Sequence, residues 1–125
     1  MLSLPPSVRI WVSTRPADLR KSFDGLAALV EQWLGGDPYS GHVFVFGNKA
    51  SDRVKLLVWD EDGYVIYYKR LEAGTFRLPV ATDQPSVALR AADLLMLLDG
   101  VDLGSVRRRR RYRRPEPAVG ADSMT

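Results

Sequence analysis

Residues 54–70, VKLLVWDEDGYVIYYKR, contain two β-type runs joined by a tight turn. Residues 54–59 and 64–70 are rich in β-branched and aromatic side chains, which favour extended strands. Between them, Asp60-Glu61-Asp62-Gly63 carries the Asp-Gly pair that is typical of a tight hairpin connection. This stretch therefore predicts a β-hairpin.

Further β-type runs flank the hairpin on both sides. Residues 43–46 and 75–78 extend it to four strands, separated by the polar loop 47–52 and a turn at Ala73-Gly74. Consecutive strands joined by such short connections predict an antiparallel β-meander. Nearer the N-terminus, residues 8–12 predict one more strand.

A first helix is predicted between the N-terminal strand and the meander. Pro16 suits the first helical turn, and Asp18 there favours the helix dipole. Gly35 and Gly36 end the helix, and Gly25 inside it is predicted to let another element approach closely. Apolar residues recur at the spacing of one buried face: Leu19, Phe23, Leu26, Ala27, Val30 and Leu34.

A second helix is predicted after the meander, beginning at Pro85-Ser86 and ending at Gly100. A sheet with one helix before it and one after it predicts an α+β fold, most simply with both helices on one face. The apolar surface of the second helix comprises Val87, Leu89, Leu94, Leu95, Leu97 and Leu98. Some of the strand aromatics should be exposed, because a core this small cannot hold all of Trp11, Phe44, Phe46, Trp59, Tyr64, Tyr67 and Tyr68.

Composition limits the class of protein. The chain has 125 residues, of which 46% are hydrophobic, and this fits one domain that buries a core. No apolar stretch approaches the roughly 20 residues that span a bilayer, and residues 1–6 lack the pattern of a secretory signal. We therefore expect a cytoplasmic protein. The absence of cysteine excludes disulfides, thiolate zinc sites and a cysteine nucleophile.

Charge is distributed unevenly along the chain. Residues 1–106 contain 11 Lys or Arg and 13 Asp or Glu, whereas residues 107–125 contain seven arginines and two acids. We therefore expect a single α+β domain over residues 1–106 and a basic, disordered, flexible tail over residues 107–125. Pro115 and Pro117 oppose a continuing helix in that tail.

The tail is predicted to bind nucleic acid. A local run of positive charge binds phosphates by releasing their counterions, and a tyrosine within it can stack on an exposed base. The alternative is a solvated tail, since the whole chain prefers arginine, with 14 Arg and four Lys. Closely spaced like charges favour nucleic acid, because a polyanion offsets their repulsion. The predicted phosphate contacts are Arg107, Arg108, Arg109, Arg110, Arg111, Arg113 and Arg114, and the stacking residue is Tyr112.

Two smaller basic pairs are further candidates for nucleic-acid binding. Arg20 and Lys21 form a basic group with Arg15 at the predicted start of the first helix, and Arg20 and Lys21 are expected to face solvent. Lys69 and Arg70 follow a Tyr-Tyr pair on a strand, and basic and aromatic residues on a sheet can bind nucleic acid. Taken alone, both pairs also fit ordinary solvated surfaces.

One acidic cluster raises the question of a metal site. Asp60-Glu61-Asp62 could bind magnesium or calcium, but Val65 and Leu71 stand where a calcium loop needs Gly and Glu. We therefore interpret these acids as a solvated turn. A metal-dependent nuclease that uses Asp60 and Asp62 is the weaker alternative.

No recognisable catalytic or cofactor motif occurs in the chain. His42 is the single histidine, and its expected role is packing at a strand end. The sequence contains neither a nucleophile elbow nor a phosphate-binding glycine motif. We therefore expect no catalytic residue, metal or cofactor.

Several motifs occur together in an order that is similar to one family of bacterial proteins. Residues 15–26, RPADLRKSFDGL, and 37–46, DPYSGHVFVF, precede DRVK at 52–55 and KRLE at 69–72. Over residues 8–100 the chain resembles the TnpB-type accessory proteins, from the second open reading frame, of the insertion-sequence-66 family of transposable elements. Arg15 and Ser22 depart from the glycines that this family commonly has.

The resemblance implies a bacterial protein encoded beside a separate transposase and needed, with a second small accessory protein, for efficient transposition. DNA binding is the role usually suggested for the family. We therefore predict a non-catalytic accessory protein of transposition that binds DNA, such as the element ends, or the transposase complex, or both. The alternative is an interaction adaptor that contacts the transposase through an exposed aromatic sheet face and never contacts DNA.

Overall fold

The computed structural model describes residues 4–79, 83–102 and 107–108, which are built from strands and two helices. Neither of these described helices has the length and apolar character needed to cross a membrane. The elements in chain order are β1 Ile10–Ser13, α1 Phe23–Leu34, β2 Val43–Gly47, β3 Arg53–Asp60, β4 Gly63–Arg70, β5 Ser86–Leu89, α2 Ala91–Asp99, β6 Val101–Asp102 and β7 Arg107–Arg108.

The main sheet has five strands in the order β4-β3-β2-β1-β5. β1 and β2 pair in parallel, with Trp11 opposite Phe44, whereas the other pairs of this sheet are antiparallel. The predicted α+β class and the antiparallel run β2-β3-β4 are confirmed, but the sheet as a whole is mixed and not antiparallel. The physical reason is α1, which carries the chain from the end of β1 back to the start of β2 so that both strands run the same way.

The two helices lie on opposite faces of this sheet, each over its own apolar core. Side chains alternate along a strand, so Val43 and Val45 of β2 face the core under α2, whereas Phe44 and Phe46 face the core under α1. All of β2 is buried, as expected for a strand that is covered on both faces. The prediction that both helices cover one face is therefore wrong.

The first helix begins at Phe23 rather than at Pro16. The segment before it is held against the sheet instead, since Ala17 donates its backbone N–H to the carbonyl of Gly47 at 2.8 Å. Asp18 then begins a turn in which its carbonyl accepts a backbone hydrogen bond. Proline and aspartate are as common in such turns as in a first helical turn, so the local signal was ambiguous.

The buried face of α1 agrees in part with the prediction. Leu26 and Val30 are buried, and Gly35 ends the helix in the left-handed conformation with φ of 62°, as predicted. Phe23 is predicted to be buried but is 45% exposed, at the first residue of the helix. Leu19 is buried from the preceding turn.

Residues 86–89 form strand β5 and not the start of the second helix. In β5, Val87 lies opposite Val12 of β1, and this pairing gives the outer edge of β1 its hydrogen-bond partners. The helix begins later, at Ala91, and ends at Gly100 with φ of 94°, which confirms the predicted stop. A short alternating run also fits one side of a helix, so the sequence pattern at residues 86–89 is ambiguous.

Residues 75–78 were predicted to be a strand and are not one. Phe76 is buried in the core under α2 and donates its backbone N–H to the carbonyl of Ser51 at 2.7 Å. The apolar signal at this point therefore comes from a loop anchored by one large side chain.

The predicted hairpin is confirmed as β3 and β4, with Glu61 and Asp62 between them. Glu61 adopts φ of 55°, the left-handed conformation that this turn requires. The N-terminal strand is also confirmed, although it runs from Ile10 to Ser13 rather than over residues 8–12.

The structure describes the predicted tail only at its start. Arg107–Arg108 form β7, which pairs antiparallel with Val101–Asp102 of β6. Residues 109–125 lie outside the described part of the chain.

Candidate nucleic-acid interface

Four side chains converge on the α1 side of the β3–β4 hairpin, at the end away from the turn. Arg53 lies opposite Arg70, and Lys55 lies opposite Tyr68. Residues two apart on a strand share a face, so all four lie on the face that Leu57 occupies in the core under α1. With Lys21, whose carbonyl contacts Lys55, they form what we call the basic–aromatic cluster: Lys21, Arg53, Lys55, Tyr68 and Arg70.

Tyr68 lies at the centre of this cluster and is 48% exposed. The Lys55 Nζ lies 4.7 Å from the centroid of its ring. The Arg53 Nη1 donates a hydrogen bond to its hydroxyl oxygen at 3.3 Å. An accessible aromatic ring therefore lies between two cations, an arrangement that suits a stacked base beside its phosphates.

Lys55 is 8% exposed, which is unusual for a lysine. Its Nζ donates to the backbone carbonyl of Lys21 at 2.8 Å, which joins the turn before α1 to the hairpin. None of the carboxylates in the described part of the chain forms an ion pair with it. A carbonyl and a ring therefore solvate this ammonium group without neutralising it, and the positive charge of the cluster persists.

Arg53 and Arg70 are cross-strand neighbours with the same charge. Like charges directly opposite each other on a sheet are destabilising. Arg70 relieves part of the repulsion through a hydrogen-bonded ion pair with Glu72 at 3.0 Å, in which both groups are exposed. A bound anion would relieve the remaining repulsion between the two guanidinium groups.

The predicted pair Arg20 and Lys21 separates in the structure. Arg20 is bound to Asp18 by a two-pronged ion pair with a shortest distance of 2.8 Å, and the hydrogen bond from Arg20 lowers the pKa of Asp18 to about 2. Lys21 is exposed, and its stem packs over Gly25, where an added Cβ would lie 3.0 Å from the Lys21 Cβ. The close approach predicted at Gly25 is thus made by the neighbouring turn.

The predicted pair Lys69 and Arg70 is divided between the two faces of β4. Arg70 belongs to the basic–aromatic cluster. Lys69 points to the α2 side, where its Nζ donates to the carbonyl of Leu98 at 2.9 Å, near the end of α2. A cation there satisfies a terminal helix carbonyl and complements the helix dipole.

The arginine run is described only in its first two residues. Arg107 and Arg108 form β7, while Arg109, Arg110, Arg111, Tyr112, Arg113 and Arg114 lie outside the described residues. The predicted contacts of these residues with nucleic acid stay a prediction.

Sequence reasoning missed Arg53, Lys55 and Tyr68 as members of one site. Arg53 and Lys55 are two residues apart in a strand, so the period-two rule could have placed them on one face. The pairing register that brings Tyr68 between them depends on the turn at Glu61-Asp62.

A second group of aromatic side chains lies at the turn end of the same hairpin. Tyr39, Trp59 and Tyr64 contact one another with ring centroids 5.0–5.6 Å apart, and Tyr39 is 59% exposed. The Tyr64 hydroxyl is buried and makes no well-directed hydrogen bond among the described residues, and its pKa is raised to about 12, first by burial and next by the neighbouring Tyr39 hydroxyl. Of the strand aromatics, Tyr68 is exposed, which confirms the expectation that the core cannot hold all of them.

A groove of about 310 Å³ lies beside the end of α1. Trp11 and Phe44 form its apolar wall, and Asp37 and His42 lie at its polar rim. The His42 Nδ1 accepts the backbone N–H of Arg9 at 3.0 Å, so this side chain joins the starts of β1 and β2, in agreement with the predicted strand-end role.

The acidic cluster Asp60-Glu61-Asp62 occupies the hairpin turn as predicted, with all three side chains exposed. Within the described ranges, no group of three or more His, Asp or Glu residues is arranged to hold a metal ion.

The sequence is similar to one protein family and to two proteins of Sinorhizobium fredii. A family profile described as IS66 Orf2 like protein matches residues 8–108. The uncharacterized protein y4jC of Sinorhizobium fredii is 36% identical over 109 residues, which cover 87% of this chain and 92% of the relative. The uncharacterized protein y4hO of the same organism is 34% identical over 102 residues, covering 82% and 88%. No solved structure gives a significant match.

Proposed function

The chain belongs to the family of IS66 Orf2-like proteins, which are associated with transposition, and we propose that it serves the element as a non-catalytic DNA-binding accessory protein. Its contact surface is the basic–aromatic cluster, with Tyr68 as the stacking residue. Lys21, Arg53 and Arg70 bind phosphates, and Lys55 supports the ring of Tyr68 while adding positive charge.

The observation that carries this proposal is the exposed ring of Tyr68 between two cations. Fully burying a large apolar side chain stabilises a fold by about 1.5–3 kcal/mol, and a half-exposed ring at a sheet surface forgoes part of the gain that its apolar atoms would contribute. Stacking on a base would recover about 1–3 kcal/mol, and it tolerates any sequence because every base has an aromatic face.

The arginine run at residues 107–114 adds a second source of DNA affinity. Its seven arginines supply an electrostatic contact that depends on salt and not on sequence. We assign this role to a tail over residues 107–125 and the cluster to a domain over residues 1–106. In this arrangement the tail raises affinity, and the cluster positions the DNA on the folded body.

The test is binding of the full chain to labelled element-end DNA and to random DNA over a salt series. Arg53→Gln combined with Arg70→Gln should weaken binding and make the slope of log K against log salt shallower by about 0.7–0.9 for each phosphate that is no longer neutralised. Arg9→Gln, an exposed arginine at the opposite end of the sheet, is the matched control and should change the slope by less than this amount.

A full chain in which the seven tail arginines are changed to glutamine separates the two surfaces. Residual binding that still depends on Arg53 and Arg70 would support the cluster. Complete loss of binding in this variant, together with wild-type binding of the Arg53/Arg70 variant, would contradict the role of the cluster. Substitution is preferable to truncation because Arg107 and Arg108 pair with β6.

The second candidate function is an adaptor that binds the transposase of the same element or a second small accessory protein. The observation in its favour is Tyr39, which is 59% exposed on the aromatic group at the turn end. Co-purification with the transposase after nuclease treatment, abolished in Tyr39→Ala and retained when the tail arginines are neutralised, would support this function. Co-purification that disappears on nuclease treatment would contradict it.

A further inference from the structure

Strand β4 forms one edge of the five-stranded sheet, and none of the described residues pairs with its outer side. It is eight residues long, whereas strands average about 5–6 residues. At the opposite edge, β5 has four residues and follows Pro85. The two edges therefore differ in how much backbone they offer to another strand.

The pairing pattern of the hairpin identifies the outward backbone groups of β4. Asp60 and Gly63 flank a two-residue turn and form a hydrogen-bonded pair, so every second residue from Gly63 bonds to β3. The hydrogen bond from the Asn48 N–H to the Arg53 carbonyl is consistent with this pattern. It shows that the carbonyl of Arg53 points toward β2 and not toward β4. The outward N–H and C=O groups of β4 therefore belong to Tyr64, Ile66, Tyr68 and Arg70.

The middle of this edge lacks the features that keep edge strands apart. Proteins usually block an exposed edge with proline, a bulge or a central charge. Residues 64–68, YVIYY, contain no proline and no charged side chain, and they pair one to one with β3 without a bulge. Val65 in this segment is 42% exposed. A long apolar edge of this kind either aggregates or pairs with a partner strand.

The ends of β4 carry opposite charges. Asp60, Glu61 and Asp62 lie at the turn, and Lys69 and Arg70 lie at the other end. A second β4 running antiparallel would place the acids of each copy beside the bases of the other, whereas a parallel copy would place like charges together. The strand is therefore complementary to itself in one orientation.

We propose that β4 pairs antiparallel with β4 of a second copy of this chain, about a twofold axis perpendicular to the sheet. Ile66 then lies opposite the partner's Ile66, Tyr64 opposite the partner's Tyr68, and Asp62 opposite the partner's Arg70. The outward groups of Ile66 bond to their symmetry equivalents, and the two sheets become continuous. The axis leaves the α1 faces, and with them both basic–aromatic clusters, on the same side of the dimer.

The first test is sedimentation equilibrium of the full chain without DNA. The wild type should be a dimer, and Ile66→Pro should be a monomer because proline removes an outward N–H that the protomer itself does not use. Ile66→Ala keeps the N–H and should still dimerise. A monomeric wild type, or a correctly folded Ile66→Pro variant that dimerises as tightly as the wild type, would overturn the proposal.

The second test uses exposed residues, so folding is not at risk. Asp62→Arg and Arg70→Asp should each weaken the dimer by roughly tenfold, since each reversal acts at two symmetric sites. The double variant restores opposite charges across the interface and should return to near wild-type affinity. Additive weakening in the double variant would overturn the antiparallel register.

The third test takes advantage of the absence of cysteine from the chain. Opposed residues in a hydrogen-bonded pair have Cα atoms about 5.5 Å apart, which is within the range of a disulfide. Under mild oxidation Ile66→Cys should form a covalent dimer, whereas Ala88→Cys, exposed on the other edge strand, should not. Equal cross-linking of the two variants would contradict the proposed interface.

Discussion

The two ends of the β3–β4 hairpin contain similar aromatic residues in different surroundings. At the turn end, Tyr64 packs between Tyr39 and Trp59, and its hydroxyl is buried. At the far end, Tyr68 is 48% exposed, and its neighbours are cations instead of aromatic rings. The Lys55 Nζ lies 4.7 Å from the centroid of the Tyr68 ring. One strand therefore presents a tyrosine that packs and a tyrosine that is available.

The role of an aromatic residue on a sheet depends on its cross-strand neighbours. A ring opposite other rings gains contact area and contributes to the fold. At Tyr68 the cross-strand neighbours are cations instead, and the ring keeps about half of its surface exposed. Tyr64 and Tyr68 are four residues apart on one strand, so strand propensity alone does not distinguish them.

The largest expected effect is on stability, and it comes from a core residue that lies between the two ends of the hairpin. Leu56 is fully buried at the middle of β3, opposite Tyr67, and Leu56→Ala should lower the free energy of unfolding by about 2–5 kcal/mol. Chemical denaturation measures this decrease. Leu95→Ala, at an exposed position of α2, is the control and should change stability by at most about 0.5 kcal/mol. Similar decreases in the free energy of unfolding of both variants would show that the core of the hairpin contributes no more to stability than an exposed position of α2.

A smaller effect should separate the two ends by function. Tyr68→Ala should weaken binding to single-stranded DNA by about 1–3 kcal/mol because the stacking ring is removed, while Tyr39→Ala at the turn end should leave binding unchanged. Fluorescence anisotropy at fixed salt measures both. Tyr68→Phe keeps the ring and should bind like the wild type. Equal weakening in Tyr68→Ala and Tyr39→Ala would remove the functional distinction between the ends.

Removing one hydroxyl should sharpen the comparison further. Tyr64→Phe should raise the free energy of unfolding by up to about 1 kcal/mol, because it deletes a buried oxygen that makes no well-directed hydrogen bond among the described residues. Tyr68→Phe deletes an exposed hydroxyl bonded to Arg53 and should leave stability equal or slightly lower. Thermal denaturation of the two variants beside the wild type provides the measurement, and a loss of stability in Tyr64→Phe would contradict the buried state.

Alkaline titration tests the same hydroxyl independently. The pKa of Tyr64 is raised from 10.0 to about 12, mainly by burial, so the fold prefers the neutral hydroxyl to the phenolate, and stability relative to the ionised form is fully present below pH 10. That contribution is lost as pH rises from about 10 to 12, where the unfolded chain ionises first. Wild-type stability should therefore fall more steeply over this window than that of Tyr64→Phe. Equal slopes would show that the hydroxyl is solvated.

The smallest effect is expected at the exposed ion pair beside the basic end. The Arg20 hydrogen bond lowers the pKa of Asp18 from 3.8 to about 2, so the ionised form stabilises the fold above pH 3.8. That contribution is lost as pH falls toward 2, and it is small because the pair is exposed. Asp18→Asn keeps an acceptor for the Arg20 N–H and should show less acid sensitivity between pH 4 and 2. An unchanged acid profile would contradict the pairing.

Local sequence signals predicted the elements whose ends are set by neighbouring residues. The β3–β4 hairpin, the helix ends at Gly35 and Gly100 and the strand-end role of His42 all follow from one turn or one strand terminus. Their energetics depend on residues within a few positions along the chain, so a sequence pattern carries the information.

Elements that depend on distant partners were predicted less well. Residues 86–89 form β5 because β1 offers them an edge, and residues 75–78 form no strand although they are apolar. The parallel pairing of β1 and β2 and the placement of α1 and α2 on opposite faces also involve segments that are far apart in sequence. Short apolar runs are ambiguous until their partners are known.

The sequence by itself determined the uneven charge of residues 1–106 and 107–125, the hairpin, the α+β class and the family to which the chain belongs. The tertiary structure decided that Arg53, Lys55, Tyr68 and Arg70 meet on one face, that the backbone of Lys21 adjoins them, and that Lys69 lies on the other face. The physical reason is the pairing register. A shift of one residue between β3 and β4 would move every side chain to the other face, and that register follows from the geometry of the turn and the burial of both cores.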